Sequence, residues 1–183
     1  MKTFKLYILL LLSSLALVSC NDDDEFYNIA YLNKPDLVAI DIPLAGYNVN
    51  DNLTFHIDFS RYQTEGNHAT PLDLYKTTGA ESFGFNYYLE KKTGTNTWTT
   101  VFSNEDEYRV GEVEYMPLTE TYEFDEALPL TSAGEYRFRL GISDFGYTKT
   151  ELISRNKPKQ TAVKITTNAN GIDSQGYYHF IVN

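Results

Sequence analysis

The feature that most constrains the fold of this chain is a strict two-residue alternation of apolar and polar side chains. Leu53, Phe55, Ile57 and Phe59 alternate with Thr54, His56 and Asp58. Successive side chains of an extended strand point to opposite faces, so this pattern aims its apolar groups at a core and its polar ones at solvent. Phe83, Phe85, Tyr87 and Leu89 repeat the pattern, as do Tyr136, Phe138, Leu140 and Ile142 against Arg137 and Arg139. Apolar runs at 37–42, 97–102, 162–167 and 177–182 predict further strands, with a less regular one at 120–126. No long stretch past residue 36 keeps a helical i, i+3, i+4, i+7 stripe. The expectation is an all-β domain over residues 37–183, with about seven or eight strands in two packed antiparallel sheets and no helix.

Composition agrees with one ordinary domain. The 6 Pro and 11 Gly rule out a fibrous or low-complexity chain, while the 15 Tyr stand out. One cysteine, Cys20, leaves no partner for an intrachain disulfide, so stability must come from the core.

The N-terminus reads as an export address. Lys2 and Lys5 precede an apolar run from Leu6 to Val18, which has the length of a secretory h-region and falls short of the ~20 residues a spanning helix needs. Leu17-Val18-Ser19-Cys20 resembles the bacterial lipobox, which implies cleavage between Ser19 and Cys20 and acylation of Cys20. Residues 1–19 are then a lipoprotein signal peptide. At ~0.8 kcal/mol per buried CH₂, two or three acyl chains anchor a protein that one chain would not hold.

Asn21-Asp22-Asp23-Asp24-Glu25 follows directly. This acidic run resembles the surface-export signal of Bacteroidota lipoproteins and implies an outer-membrane protein facing the cell exterior, with a periplasm-facing anchor as the alternative. Residues 20–36 are expected to be a lipidated tether. Cleavage leaves 13 basic against 25 acidic residues, a charge of −12. Such a balance argues against nucleic acid and other polyanions as partners.

Leu130-Thr131-Ser132-Ala133-Gly134-Glu135-Tyr136-Arg137-Phe138-Arg139-Leu140 resembles strand F of fibronectin type III and immunoglobulin-like domains, together with the turn that precedes it. The resemblance implies that the Tyr136 hydroxyl bonds back to the upstream backbone. Tyr87-Tyr88-Leu89-Glu90-Lys91 followed by Trp98 is similar to the strand C and C′ pair of the fibronectin module. The long stretch 68–81 departs from that module. A likeness of fold assigns no function.

Catalytic chemistry finds little support. His56, His68 and His179 lie far apart and outside any short ligand pattern, and no G-x-S-x-G or phosphate-binding glycine loop occurs, so no catalytic residue, metal or cofactor is expected. Carboxylates at Glu105, Asp106 and Glu107, at Glu112 and Glu114, and at Glu123, Asp125 and Glu126 are numerous enough for a glycosidase pair. The i, i+2 spacing of Glu112 with Glu114 and of Glu123 with Asp125 is explained by a polar sheet face. The 168–173 segment lacks the D-x-[DN]-x-[DN]-G order of a calcium loop, and Asn170-Gly171 reads as the turn of a wide hairpin joining the last two strands. Trp98 and Tyr88 are the candidate ligand-binding residues, because an aromatic ring stacks on the C–H face of a sugar. The expected function is a non-catalytic surface binding module for a glycan or an envelope protein. A structural or adhesive envelope component is the first alternative and a glycan-acting enzyme the second.

Overall fold

The computed structural model describes residues 28–64, 69–102, 107–141, 146–156 and 158–183. Their elements, in chain order, are β1 (Asn28–Asn33), β2 (Val38–Ile40), β3 (Asn52–Ser60), β4 (Tyr62–Gln63), β5 (Leu72–Asp73), α1 (Leu74–Thr78), β6 (Ser82–Gly94), β7 (Thr97–Thr100), β8 (Arg109–Met116), β9 (Thr121–Pro129), β10 (Gly134–Leu140), β11 (Thr150–Ser154), β12 (Thr161–Thr167) and β13 (Tyr178–Val182). The fold is all-β. Eleven strands join one curled mixed sheet, and β4 pairs with β5 separately.

The curl is organised by β6, 13 residues long. Tyr87 pairs with Arg109 on one edge and with Leu140 on the other, so β8 and β10 lie on opposite sides of it. One edge carries β7 and then β8; the other carries β10 and then β11. From β8 the sheet runs on through β9 and β3 to β2, and β13 adds to β10. The β3–β9 pairing extends from Asn52↔Pro129 to Ser60↔Thr121.

Curling brings the apolar face of β3 against those of β6 and β10, strands it does not hydrogen-bond. The Phe55 ring lies 4.8 Å from Phe138 and 5.3 Å from Tyr87. Phe59 stacks on Tyr122 at 5.3 Å, and Phe83 meets Tyr122 edge-on at 4.9 Å. Leu53, Phe55, Phe83 and Phe138 are fully buried. The alternating runs read from the sequence therefore form the core, although Ile142 lies outside the described residues.

Several expectations are corrected. Strands outnumber the seven or eight expected, and a short helix is present. α1 forms because Asp73 caps it, accepting from Lys76 N–H at 2.9 Å, while Gly79 ends it at φ 67° in the left-handed region that glycine tolerates. Asn28–Asn33, inside the expected tether, is a strand that pairs in parallel with β12. The irregular run at 120–126 belongs to β9, whose Tyr122 and Leu128 are buried. β12 and β13 do not form a hairpin, since β12 pairs with β11 and β1 and β13 pairs with β10. Asn170 instead ties the chain to β2: its side-chain amide accepts from Ile40 N–H at 2.6 Å and donates to Ile40 C=O at 3.1 Å.

Candidate functional site

Two surfaces gather the chemistry. The first is the outer face of β7, β6, β10 and β13. Strand alternation sends Tyr88, Glu90 and Lys92 of β6 outward, and register sets them beside Arg139, Arg137 and Trp98 respectively, with His179 opposite Arg137. Arg137 lies between two rings, its guanidinium carbon 4.5 Å from the Trp98 centroid and 4.4 Å from that of Tyr177. Arg139 sits 4.0 Å over Tyr88 and 5.6 Å from Tyr177. The structure thus brings Trp98 and Tyr88 onto one face, half-buried, and places a guanidinium over each.

This ladder is a cohesive device. A cation–π contact contributes about 0.5–2 kcal/mol, and each one here joins different strands or loops. Charge is largely balanced within it: Arg137 Nε donates to Glu90 at 2.7 Å, and Lys92 pairs with Glu135. His179 Nε2 lies 3.3 Å from Asp173. Burial works to raise the Asp173 carboxyl, but the N–H groups of Tyr177 and Gln175 and the His179 imidazole outweigh it and hold that group below the ordinary carboxylate range. The rings a sugar would stack on are partly taken by the protein's own cations.

The second surface is a groove. Its narrower part, about 370 Å³, is lined by Tyr75 of α1, Glu81, Ser82, Glu112, Glu114, Tyr115, Pro117 and Asn156. Glu112 and Glu114 continue it as a depression of about 490 Å³ over β8 and β9, with Val110, Met116, Glu123, Phe124 and Asp125. The Arg155 side chain lies over Gly84, the cross-strand partner of Glu112, beside the narrower part.

Strand alternation explains the concentration of charge. Gly111 and Val113 of β8 face the core, so Glu112 and Glu114 face out; Tyr122 of β9 faces in, so Glu123 and Asp125 face out. Glu114 stands directly opposite Glu123, and Glu123 opposite Asp58 of β3. Like charges across a sheet destabilise it by roughly 0.2–1 kcal/mol per pair, so this row of acids opposes folding. Glu126, grouped with these acids from the sequence, turns inward and accepts from the Tyr87 hydroxyl at 2.8 Å.

The groove has an aromatic wall. Tyr75 and Tyr115 stack at 4.5 Å with planes 19° apart. Arg61 fixes them from behind, donating to the Tyr115 hydroxyl at 3.0 Å and to Asp73 at 2.7 Å. Glu112 accepts from Ser82 Oγ at 3.2 Å, and Tyr115 N–H donates to Glu81 C=O at 2.8 Å. Carboxylates beside an aromatic wall suit hydroxyl and ammonium groups.

Sequence reasoning read Glu112, Glu114, Glu123 and Asp125 as a polar sheet face and passed over Glu81, Tyr75 and Tyr115. Tyr75 falls in the 68–81 stretch, whose departure from the fibronectin pattern was the available signal. His68, Glu105 and Asp106 lie outside the described residues, as do Ser19 and Cys20. Glu107 is exposed just ahead of β8. His56 lies 3.9 Å from Asp41. Among the described residues, no group of three or more His, Cys, Asp or Glu side chains has the spacing of a metal site. Compared with protein-family models, curated proteins and solved structures, the chain matches none.

Proposed function

We propose that this chain is a lipid-anchored outer-membrane protein, displayed toward the cell exterior through Cys20, whose domain is a non-catalytic binding module for a glycan or a protein. The groove over β8 and β9 is its binding surface, and neutral or cationic ligands are preferred. The observation that carries this reading is the groove's make-up: Glu81, Glu112, Glu114, Glu123 and Asp125 beside the Tyr75–Tyr115 wall. Acids that face one another at a cost to stability are explained if they serve a ligand.

The module is proposed to be an immunoglobulin or fibronectin III-like sandwich. Two runs of strands support this: β2-β3-β9-β8 follows the A-B-E-D order, and β7-β6-β10-β13 follows C′-C-F-G. In the chain, β11 and β12 are an insertion between strands F and G, and β1, which precedes strand A, joins them by pairing with β12. The Tyr136 hydroxyl donates to Ser132 C=O at 2.7 Å, the tyrosine-corner bond of such folds.

Two experiments test the proposal. Calorimetric titration with a chitosan oligomer, a neutral cellulose oligomer and an alginate oligomer should give roughly millimolar binding to chitosan, the scale of a single shallow site. Glu112→Gln combined with Glu114→Gln should weaken it several-fold. Alginate binding as tightly as chitosan, or an unchanged double variant, would overturn the groove assignment; release of reducing ends that depends on one carboxylate would replace the module with an enzyme. For the anchor, Cys20→Ala should move the protein out of the carbonate-washed membrane fraction, and its retention there would refute lipidation.

The structural or adhesive reading draws on a separate observation, the outer edge of β1, which pairs with no strand among the described residues.

A further inference from the structure

Among the described residues, β1 ends the sheet beyond β12, and one of its edges is paired. Lys34 N–H donates to Thr166 C=O at 2.9 Å, continuing the parallel ladder that runs from Asn28↔Thr161 to Asn33↔Thr166. Backbone groups alternate in direction along a strand, so the even-numbered residues face β12. Those of Ile29, Tyr31 and Asn33 point away, and nothing among the described residues pairs with them.

The other ends of the sheet are short or covered. β2 has three residues and β7 has four. The outer edge of β13 takes Tyr47 in a parallel bridge, with Val49 N–H donating to Asn183 C=O and Asn183 N–H to Tyr47 C=O. β1 has six residues, none charged and none proline. Exposed edges are ordinarily blunted with lysine, proline or a bulge, and β1 has none of these. Ile29 and Tyr31 are 42% and 52% exposed.

We propose that β1 is a strand-addition edge and that its partner is β1 of a second copy of this chain, paired antiparallel about a two-fold axis. The outward groups are self-complementary. Centred on Tyr31, the pairing sets Tyr31 against its counterpart and Ile29 against Asn33, so each outward N–H meets an outward C=O. An isologous contact of this kind closes on itself and stops at the dimer. β1 carries no charged side chain, so in a chain at −10 overall it is an edge where two copies can meet without setting like charges against each other. In strand order β8 and β9 are separated from β1 by β12, β11 and β6, so the pairing leaves the acid rows of the two copies apart.

The test is sedimentation velocity on the full chain in detergent, diluted from on the order of 100 μM. The parent should sediment as a dimer that dissociates on dilution. Tyr31→Pro removes an outward N–H, sets a pyrrolidine ring on the free edge, and should weaken association at least about tenfold. Tyr31→Glu should do the same: Tyr31 lies beside Lys164, 5.9 Å from the ring, so the new carboxylate is accommodated within its own chain and repelled across the two-fold. Circular dichroism checks that each variant is folded, and if Tyr31→Pro is not, Tyr31→Glu decides. Tyr31→Cys should form an intermolecular disulfide that peptide mapping places at residue 31. A parent that stays monomeric, folded variants that dimerise like the parent, or a dimer with no disulfide at residue 31 would each overturn the proposal.

Discussion

Tyrosine is where single residues govern this molecule. The chain uses its phenols as core residues with one polar end, and Tyr47, Tyr87, Tyr122 and Tyr136 each hand their hydroxyl to a carbonyl or carboxylate. Tyr136 bonds Ser132, Tyr122 donates to Ala80 C=O at 2.9 Å, and Tyr47 donates to Asp41 C=O at 2.9 Å. The role of Tyr136 could be read from its place after a glycine turn. That of Tyr87 could not, because its partner Glu126 lies on a strand whose inward parity is visible only once Tyr122 and Leu128 are placed. Burial, and then the bond to Glu126, push the Tyr87 phenol from 10.0 up to about 12. Burial likewise raises Tyr47 and Tyr122. A raised phenol favours the protonated, folded form, so its contribution is complete below about pH 10, where the unfolded chain also keeps its proton. Between about pH 10 and 12 the unfolded chain ionises first, and stability falls. Denaturant melts across that window should show the decline, and Tyr87→Phe should make it shallower; a flat profile in the parent would contradict the assignment.

Among the elements, β8 links fold to groove, and it does so through a residue with no side chain. A Cβ on Gly111 would lie 2.4 Å from Phe85 Cζ and 3.2 Å from Phe124 Cζ. Glycine there lets the Phe85 ring lie against β8 and brings β8 close to β6. Gly111→Ala should therefore cost about 1–3 kcal/mol through overpacking, seen as a lower urea midpoint. A variant as stable as the parent would show that Phe85 has room to move. Alternation made β3, β6 and β10 readable because each presents one face to the core. β1 was hidden: its pairing lies more than a hundred residues away, its sequence follows an acidic run, and Ile29 and Tyr31 stay exposed. The expected hairpin at Asn170-Gly171 failed for the same reason. A local turn signal is real at Gly171, with φ 70°, but the turn serves a side-chain tie to β2, and the strands on either side of it pair elsewhere and not with each other.

At the scale of the whole molecule, the two faces differ in electrostatics more than in shape. The β7-β6-β10-β13 face interleaves Arg137, Arg139 and Lys92 with aromatic rings and pairs two of these cations with Glu90 and Glu135. The β8–β9 face places acid beside acid. The acids of that face lie along the groove, so the proposed ligand preference is tied to the groove and not to Trp98 and Tyr88. The most direct measurement is backbone amide chemical-shift mapping of the protein titrated with a chitosan oligomer. The account predicts that the largest shifts fall on Tyr75, Glu112, Glu114, Tyr115 and Glu123, weaken with added salt, and leave Trp98 and Tyr177 unmoved. Shifts centred on Trp98, Arg137 and Tyr177, or none at any residue lining the groove, would contradict it.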